Sequence, residues 1–290
     1  MEIKSVKREN FPRVLREIPD PPSRLFVMGS LPQDEELTIA VVGTRKATGA
    51  GLKSAERFAK ELSQQGAVII SGLAMGIDTA AHEGTLQNQG KTVAVLGNGL
   101  PKIYPAQNEN LAKKILEAGG AITSEYKENH PSYKGNFIQR NRIISGLALA
   151  VIVIEAPLRS GALATATFAA TQGREVFVVP GPINHPNYVG SHALIRDGAR
   201  LVTSPEEVIE DLGLDRLPTM RESTKGESSV KLKLTTEEEL VFMKVKVQNF
   251  PLPVDKIVEL TKLDPQIVNS SLASLIIRGL IQEAGGLYTI

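Results

Sequence analysis

Five short segments of this sequence combine glycine with a hydroxyl, an amide, a cation or a proline: Gly43-Thr44-Arg45, Ser71-Gly72, Gly97-Asn98-Gly99, Ser160-Gly161 and Pro180-Gly181-Pro182. Glycine lets backbone approach a ligand closely and Ser or Thr adds a hydroxyl donor, so the set describes a phosphate-receptive surface. For any one of them the alternative is a tight turn that needs glycine for its own backbone. A second pattern is cationic. No acid lies between Glu36 and Glu56, where Arg45, Lys46 and Lys53 fall, or between Glu128 and Glu155, where Lys134, Arg140 and Arg142 fall, so each window carries a local charge of +3. The second window also holds Phe137 and the amides Asn136, Gln139 and Asn141. Cations for phosphates beside an aromatic face for a base suit single-stranded nucleic acid, whose unpaired bases are free to stack. The alternative is an amphipathic helix with Phe137 in the core and a solvated basic face.

Other chemistries fit less well. A dinucleotide fingerprint needs Gly-x-Gly-x-x-Gly after the first strand and an acid ending the second, but Gly43 is followed by Thr44-Arg45-Lys46 and the second strand ends at Ser71. Gly43 to Gly51 has neither the spacing nor the terminal lysine of a P-loop. The chain has no cysteine and four histidines, so thiolate metal sites and cysteine nucleophiles are excluded and neither metal nor cofactor is expected. Asp78 and His82, at i and i+4, share a helix face and would suit a base pair or two metal ligands. The preferred reading is Asp78 as a cap for the glycine-rich turn and His82 as a hydrogen-bonding scaffold residue. Glu155, ending an apolar strand, is expected to pair with Arg140 or Arg142, because buried charges are normally paired.

These residues need a frame that gathers strand ends. Apolar runs at 38–43, 67–72, 92–97, 121–124, 150–155, 175–180 and 200–203 alternate with helix-length segments and are continuous rather than alternating, as in Ile39-Ala-Val-Val42. Such strands are buried on both faces of a parallel sheet, which predicts a doubly wound α/β domain over 38–212 with ligands beyond the carboxyl ends of its strands. Residues 1–37, with Pro12, Pro19, Pro21 and Pro22, read as an extended lead-in with room for one minor strand. Residues 213–234 are polar, without hydrophobic periodicity, and read as a linker. Over 235–290 a Thr236–Glu239 capping box opens the first of three helices, followed by a hairpin turning at 284–286, the pattern of a small winged-helix domain.

The 290 residues accommodate one large and one small domain, and 33 basic against 32 acidic residues give a net charge of +1, so a polyanion site must be local. Residues 31–210 hold 17 of each sign, and 235–290 hold 5 basic and 7 acidic. Residues 1–10 lack the apolar core of a signal peptide and no apolar run reaches a membrane span of about 20 residues, so a cytoplasmic protein without membrane contact is expected.

Gly43-Thr-Arg45, the run Ser71 to His82, Lys134-Gly-Asn-Phe-x-x-Arg-Asn-Arg142, Glu155 with Ser160-Gly-x-x-x-Thr165, and Pro180-Gly-Pro182 together resemble the DprA/Smf DNA-processing family over about residues 11–212. The resemblance implies an extended Rossmann-like domain that binds single-stranded DNA, protects it during natural transformation and loads the RecA recombinase. It implies a homodimer that is not an enzyme. Position by position it makes Arg45 and Lys134 phosphate contacts, Phe137 a base-stacking ring, and Arg140, Asn141 and Arg142 part of or support for the positive pocket. Ser71, Gly72, Gly97 and Gly99 would offer backbone or hydroxyl contacts, with Asp78, His82, Glu155 and Ser160 as structural support. The net −2 of residues 235–290 makes a poor duplex binder and suggests a protein-interaction or regulatory module. The dimer surface is expected on helices near 192–196 and 205–212, where Leu194, Ile195, Val208, Ile209 and Leu212 mix with charges. The competing class is a nucleotide-processing enzyme of the Rossmann-like phosphoribohydrolase type. Its catalytic carboxylates have no counterpart in 160–173, which contains neither Asp nor Glu.

Overall fold

A computed structural model describes residues 2–214, 235–247, 251–277, 281–284 and 286–289. The chain forms two compact units, Met1–Thr219 and Met220–Ile290. In the first, strands β1 (Lys4–Lys7), β2 (Arg24–Gly29), β3 (Thr38–Val42), β4 (Val68–Ser71), β5 (Thr92–Leu96), β6 (Ala121–Ser124), β7 (Ala150–Val153), β8 (Glu175–Val178) and β9 (Arg200–Leu201) build one sheet. Helices α1 (Arg13–Arg16), α2 (Gly49–Gln64), α3 (Ile77–Gln87), α4 (Glu109–Glu117), α5 (Lys134–Gly146), α6 (Gly161–Thr171), α7 (Val189–Arg196) and α8 (Pro205–Asp211) connect and cover it. The strand order is β1-β2-β6-β5-β4-β3-β7-β8-β9. From β6 to β9 every pair is parallel, whereas β1 and β2 add on antiparallel.

Every residue of β3, β5 and β7 is buried, and their side chains divide by parity, as a two-residue period requires. Ala40, Val42, Val151 and Val153 join the cluster beneath α1, α5 and α6 with Leu15, Leu147 and Ala166. Ile39, Val41 and Ile152 join the opposite cluster, with Phe58 and Leu62 of α2 and Ile77 of α3. Each large side chain so buried is worth roughly 1.5–3 kcal/mol, so both faces anchor the helices that carry the site.

Residues 2–37 contribute two strands, β1 at the sheet edge and β2 between it and β6, rather than a lead-in with one, since Val6 and Leu25 pack on the same core. Pro12, Pro19, Pro21 and Pro22 all fall between these strands, where a missing N–H breaks no ladder bond. The apolar residues offered above as a dimer surface face the chain's own core. Val208 and Ile209 are buried there, and Leu194, Ile195 and Leu212 pack against it, because α7 and α8 close the sheet instead of standing off it.

The second unit contains α9 (Thr236–Val247), β10 (Leu252–Pro253), α10 (Val254–Thr261), α11 (Pro265–Ile277) and the hairpin β11 (Gln282–Ala284) and β12 (Leu287–Thr289), with β10 extending the hairpin into a three-stranded sheet. The capping box lies one residue earlier than expected: Glu238 N donates to Thr235 Oγ1 (3.2 Å) and Thr235 N to Glu238 Oε2 (2.8 Å). From residue 215 on, the expected linker lies outside the described residues. No helix among the described residues is long and apolar enough to cross a membrane.

Candidate nucleic-acid interface

The strand order reverses at β3. Successive strands run from it through β4 and β5 to β6, and the chain then crosses by α5 to β7 on its other side. Open α/β sheets hold ligands at such a switch point. Here a cavity of about 410 Å³ opens beyond the carboxyl ends of β3 and β7. Three segments wall it: Val42 to Arg45 after β3, the α5 face of Lys134, Phe137, Ile138, Asn141 and Ile144, and Pro157 to Thr165 around the start of α6. These α5 residues recur at i, i+3, i+4, i+7 and i+10, one stripe of a helix, and Ala74, Asp78 and Arg140 also line the cavity. A smaller neighbouring cavity of about 90 Å³ shares Arg45, Ala74, Phe137 and Arg140 and adds Gly72, Met75, Tyr104 and Pro105.

Phe137 is half-buried in the wall of both cavities and belongs to none of the core clusters, which removes the alternative of a core aromatic. The Arg45 guanidinium lies 5.3 Å from the Phe137 ring centre. The ring of Tyr104 lies 5.3 Å away on a 40° tilt. A Cβ on Gly97 would sit 2.8 Å from Phe137 Cδ1, so that glycine is the floor on which the ring rests. Gly76 (φ +83°) lets the start of α3 approach the loop carrying Arg45, where a Cβ would meet the Thr44 carbonyl at 2.5 Å. Arg45 and Lys134 are exposed and neither has an ion-pair partner among the described residues.

Beneath this rim the charges are satisfied. Arg140 is 3% exposed and donates to the carbonyls of Gly72 (2.8 Å) and Val95 and to Asn141 Oδ1 (3.2 Å). Burial pulls its pKa down to about 10, against Asp78 and with Arg45, so it stays charged at neutral pH. Asp78 accepts from Ala74 N (3.3 Å) and so caps the glycine-rich turn. Its carboxyl is pushed above the usual range by burial, which outweighs the opposing pull of Arg140. Asn141 Nδ2 donates to the Gly161 carbonyl (3.0 Å), tying α5 to the start of α6, where Ser160 Oγ accepts from Leu163 N (3.4 Å). His82 is fully buried, with Nδ1 2.7 Å from Thr92 Oγ1. That hydroxyl gives its hydrogen to the Ile69 carbonyl (2.6 Å), so His82 must carry its proton on Nδ1. Burial lowers its pKa to about 3, with Arg140 adding to the effect.

Five expected residues stand outside the larger cavity. Arg142, one step around α5 from the groove stripe, is buried and paired with Glu125 (2.7 Å) and Asp20 (2.9 Å). Ser71 is buried and donates to the Val41 carbonyl (2.7 Å). Gly97 lies under Phe137, and Gly99 is packed against Lys127 and His130, its N–H bonded to the His130 carbonyl (2.9 Å). Gly72 reaches only the smaller cavity, its carbonyl already engaged by Arg140.

Glu155 pairs with no arginine. It accepts from Thr48 N (3.0 Å), Thr48 Oγ1, Asn187 Nδ2 (2.8 Å) and Tyr188 Oη (2.9 Å). Burial works to raise its pKa, but these donors prevail and hold it below the usual range. Asn187 also donates to the Lys46 carbonyl (2.9 Å), so Glu155 helps to clasp the Arg45–Lys46 loop. Hydrogen-bond donors satisfy this buried carboxylate where a cation was expected.

The sequence reading passed over Met75, Tyr104 and Arg159, all at the cavity margins. Arg159 was within reach of the same rule, since no acid lies between Glu155 and Glu175. Among the described residues no group of three His, Asp or Glu side chains is placed to hold a metal ion.

The chain is similar to known proteins. Protein Smf of Escherichia coli is 47% identical over 218 residues, covering 74% of this chain, which in turn spans only 58% of that protein's length. The solved DNA processing protein A of Streptococcus pneumoniae is 43% identical with a TM-score of 0.68, over 73% of this chain and 75% of that one. The Helicobacter pylori protein, solved in a study of the single-stranded DNA binding mode of DNA processing protein A, is 31% identical with a TM-score of 0.66, over 74% of this chain and 97% of that one. The family described as DNA recombination-mediator protein A matches residues 2–213, the extent of the sheet and the helices that wall the cavity, and this chain belongs to it.

Proposed function

We propose that the groove binds single-stranded DNA, with Arg45 and Lys134 on phosphates and Phe137 stacking a base. The observation that carries this reading is Phe137 itself: an aromatic outside the core, with Arg45 over its ring and unpaired Lys134 on the same helix face. A base–aromatic stack is worth roughly 1–3 kcal/mol and tolerates any sequence. The Helicobacter pylori relative, described by its single-stranded DNA binding mode, supports the same ligand. The finer role is protection of incoming strands and loading of a RecA-type recombinase in the cytoplasm by a homodimer; of this, the family's description as a recombination mediator supports the part in recombination. Met220–Ile290, whose residues 235–290 hold more acids than bases, serves as a winged-helix module for protein contact rather than for duplex DNA.

Fluorescence anisotropy with a labelled oligonucleotide over a salt series tests the site. The two phosphate contacts at roughly 0.7 each predict a log–log slope of about −1.4 or steeper for the wild type. Undiminished binding by a Lys134→Ala/Phe137→Ala double variant overturns the placement. RecA assembly on strands coated with a single-strand-binding protein tests the finer role, which fails if adding this protein leaves the assembly rate unchanged.

A further inference from the structure

Arg159 stands in the turn between β7 and α6 with a left-handed backbone, φ +61°. Ser160 N donates to the Pro157 carbonyl (3.2 Å), closing a four-residue turn of which Arg159 is the third member. A turn with positive φ at that place is normally built with glycine, because any Cβ is crowded there. The side chain is exposed and has neither a hydrogen bond nor an ion pair among the described residues, so no contact within the fold compensates for the conformation. Strain that the fold does not use clusters at functional sites. The turn is also held in place: Asn141 of α5 bonds Gly161 directly after it. Arg159 lines the 410 Å³ cavity on the α6 wall, whereas Arg45 lies on the β3 wall and Lys134 on the α5 wall.

We propose that Arg159 is a third phosphate-binding residue of the groove, gripping the strand from the α6 wall. This rests on the reading of the groove as a single-stranded DNA site. Each of the three walls then supplies one free cation, and the strand is held between them rather than laid on α5 alone.

The test is Arg159→Gly, which suits the turn and removes the charge, beside Arg159→Lys, which keeps it. Binding of the full chain to a labelled oligothymidine is followed by anisotropy over a salt series, and melting temperature is recorded for each protein. Loss of one contact predicts a salt slope shallower by about 0.7, equivalent to about fivefold weaker binding at 0.1 M salt relative to a 1 M reference. Arg159→Gly should melt at or above the wild-type temperature, and Arg159→Lys should restore most of the slope. A merely structural arginine would give a lower melting temperature and an unchanged slope. Wild-type affinity and slope in Arg159→Gly overturn this proposal and leave the groove reading standing. A wild-type protein that binds no oligonucleotide overturns both.

Discussion

The rim and the floor of the groove are built from the same residue types and put them to opposite uses. On the rim, Arg45 and Lys134 are exposed and without ion-pair partners among the described residues. On the floor, Arg140 spends its guanidinium on two carbonyls and an amide, and just behind it Arg142 is spent on Asp20 and Glu125. Arg140 and Arg142 are two residues apart on α5 and only one step around the helix from Lys134 and Asn141, yet they are 3% and 5% exposed. A cation that is already desolvated and paired has little left to offer a phosphate, while a solvated one releases counterions when a phosphate arrives. Local charge therefore marks the neighbourhood of the site, and burial selects which charges serve it.

The sharpest way to break this contrast is to delete a floor cation. Arg140→Ala should cost about 3–5 kcal/mol in denaturant unfolding, because it strands Asp78 and two buried carbonyls, while Lys134→Ala should stay within about 0.5 kcal/mol of the wild type. Equal stability for the two variants would dissolve the distinction between floor and rim.

Next in size is a pH effect, again from the floor. His82 has a folded pKa of about 3 against an ordinary 6.5, so the unfolded chain binds a proton first as pH falls. The stability it contributes is complete above pH 6.5 and declines from there toward pH 3. Between pH 7 and pH 4 this is on the order of 3 kcal/mol, so a His82→Gln variant should lose correspondingly less stability over that interval in chemical melts. Comparing the two proteins isolates the histidine from Asp78, whose raised pKa acts in the opposite sense, and from Glu155, whose lowered pKa adds acid sensitivity below about pH 4.5.

On the rim the effects move to binding. Phe137→Ala should weaken oligonucleotide affinity by roughly 1–3 kcal/mol with little change in salt slope, since stacking releases few counterions. A slope change as large as that of Lys134→Ala would mean that the ring acts by placing Arg45 rather than by stacking. The smallest effect is expected at Lys46, which shares an acid-free window with Arg45 but does not line the cavity. Lys46→Ala should leave the slope within about 0.2 of the wild type, well short of the 0.7 expected for a lost contact. A full loss would show that the strand extends beyond the groove walls.

Much of this was legible in the sequence. Continuous apolar runs are forced by burial on both faces, so all seven parallel strands could be placed, and with them the strand ends where the cavity opens. Lys134 and Phe137 stood out in the sequence through the acid-free window, and Asn141 through the family resemblance; that they share one wall of the cavity is seen in the fold. The pairing of Arg142 was not legible, because its partners Asp20 and Glu125 lie 122 and 17 residues away in sequence and meet it only in the fold. Glu155 misled for the same reason: Thr48, Asn187 and Tyr188 converge on it from 107, 32 and 33 residues away. The antiparallel strands β1 and β2 were muted by the prolines between them and by a short, mostly exposed β1.

By itself the sequence determined the parallel sheet and the pool of cations, glycines and the aromatic Phe137 from which a site could be drawn. Those follow from local rules of periodicity, turn chemistry and charge spacing, which act over a few residues. Tertiary structure alone decided which members of that pool face the groove. It buried Arg140, Arg142, Ser71, Gly97 and Gly99 in bonds and packing, left Arg45 and Lys134 free, and exposed Arg159 on a strained turn. Whether a polar group is spent or available depends on partners brought together through space, and sequence spacing does not encode that distance.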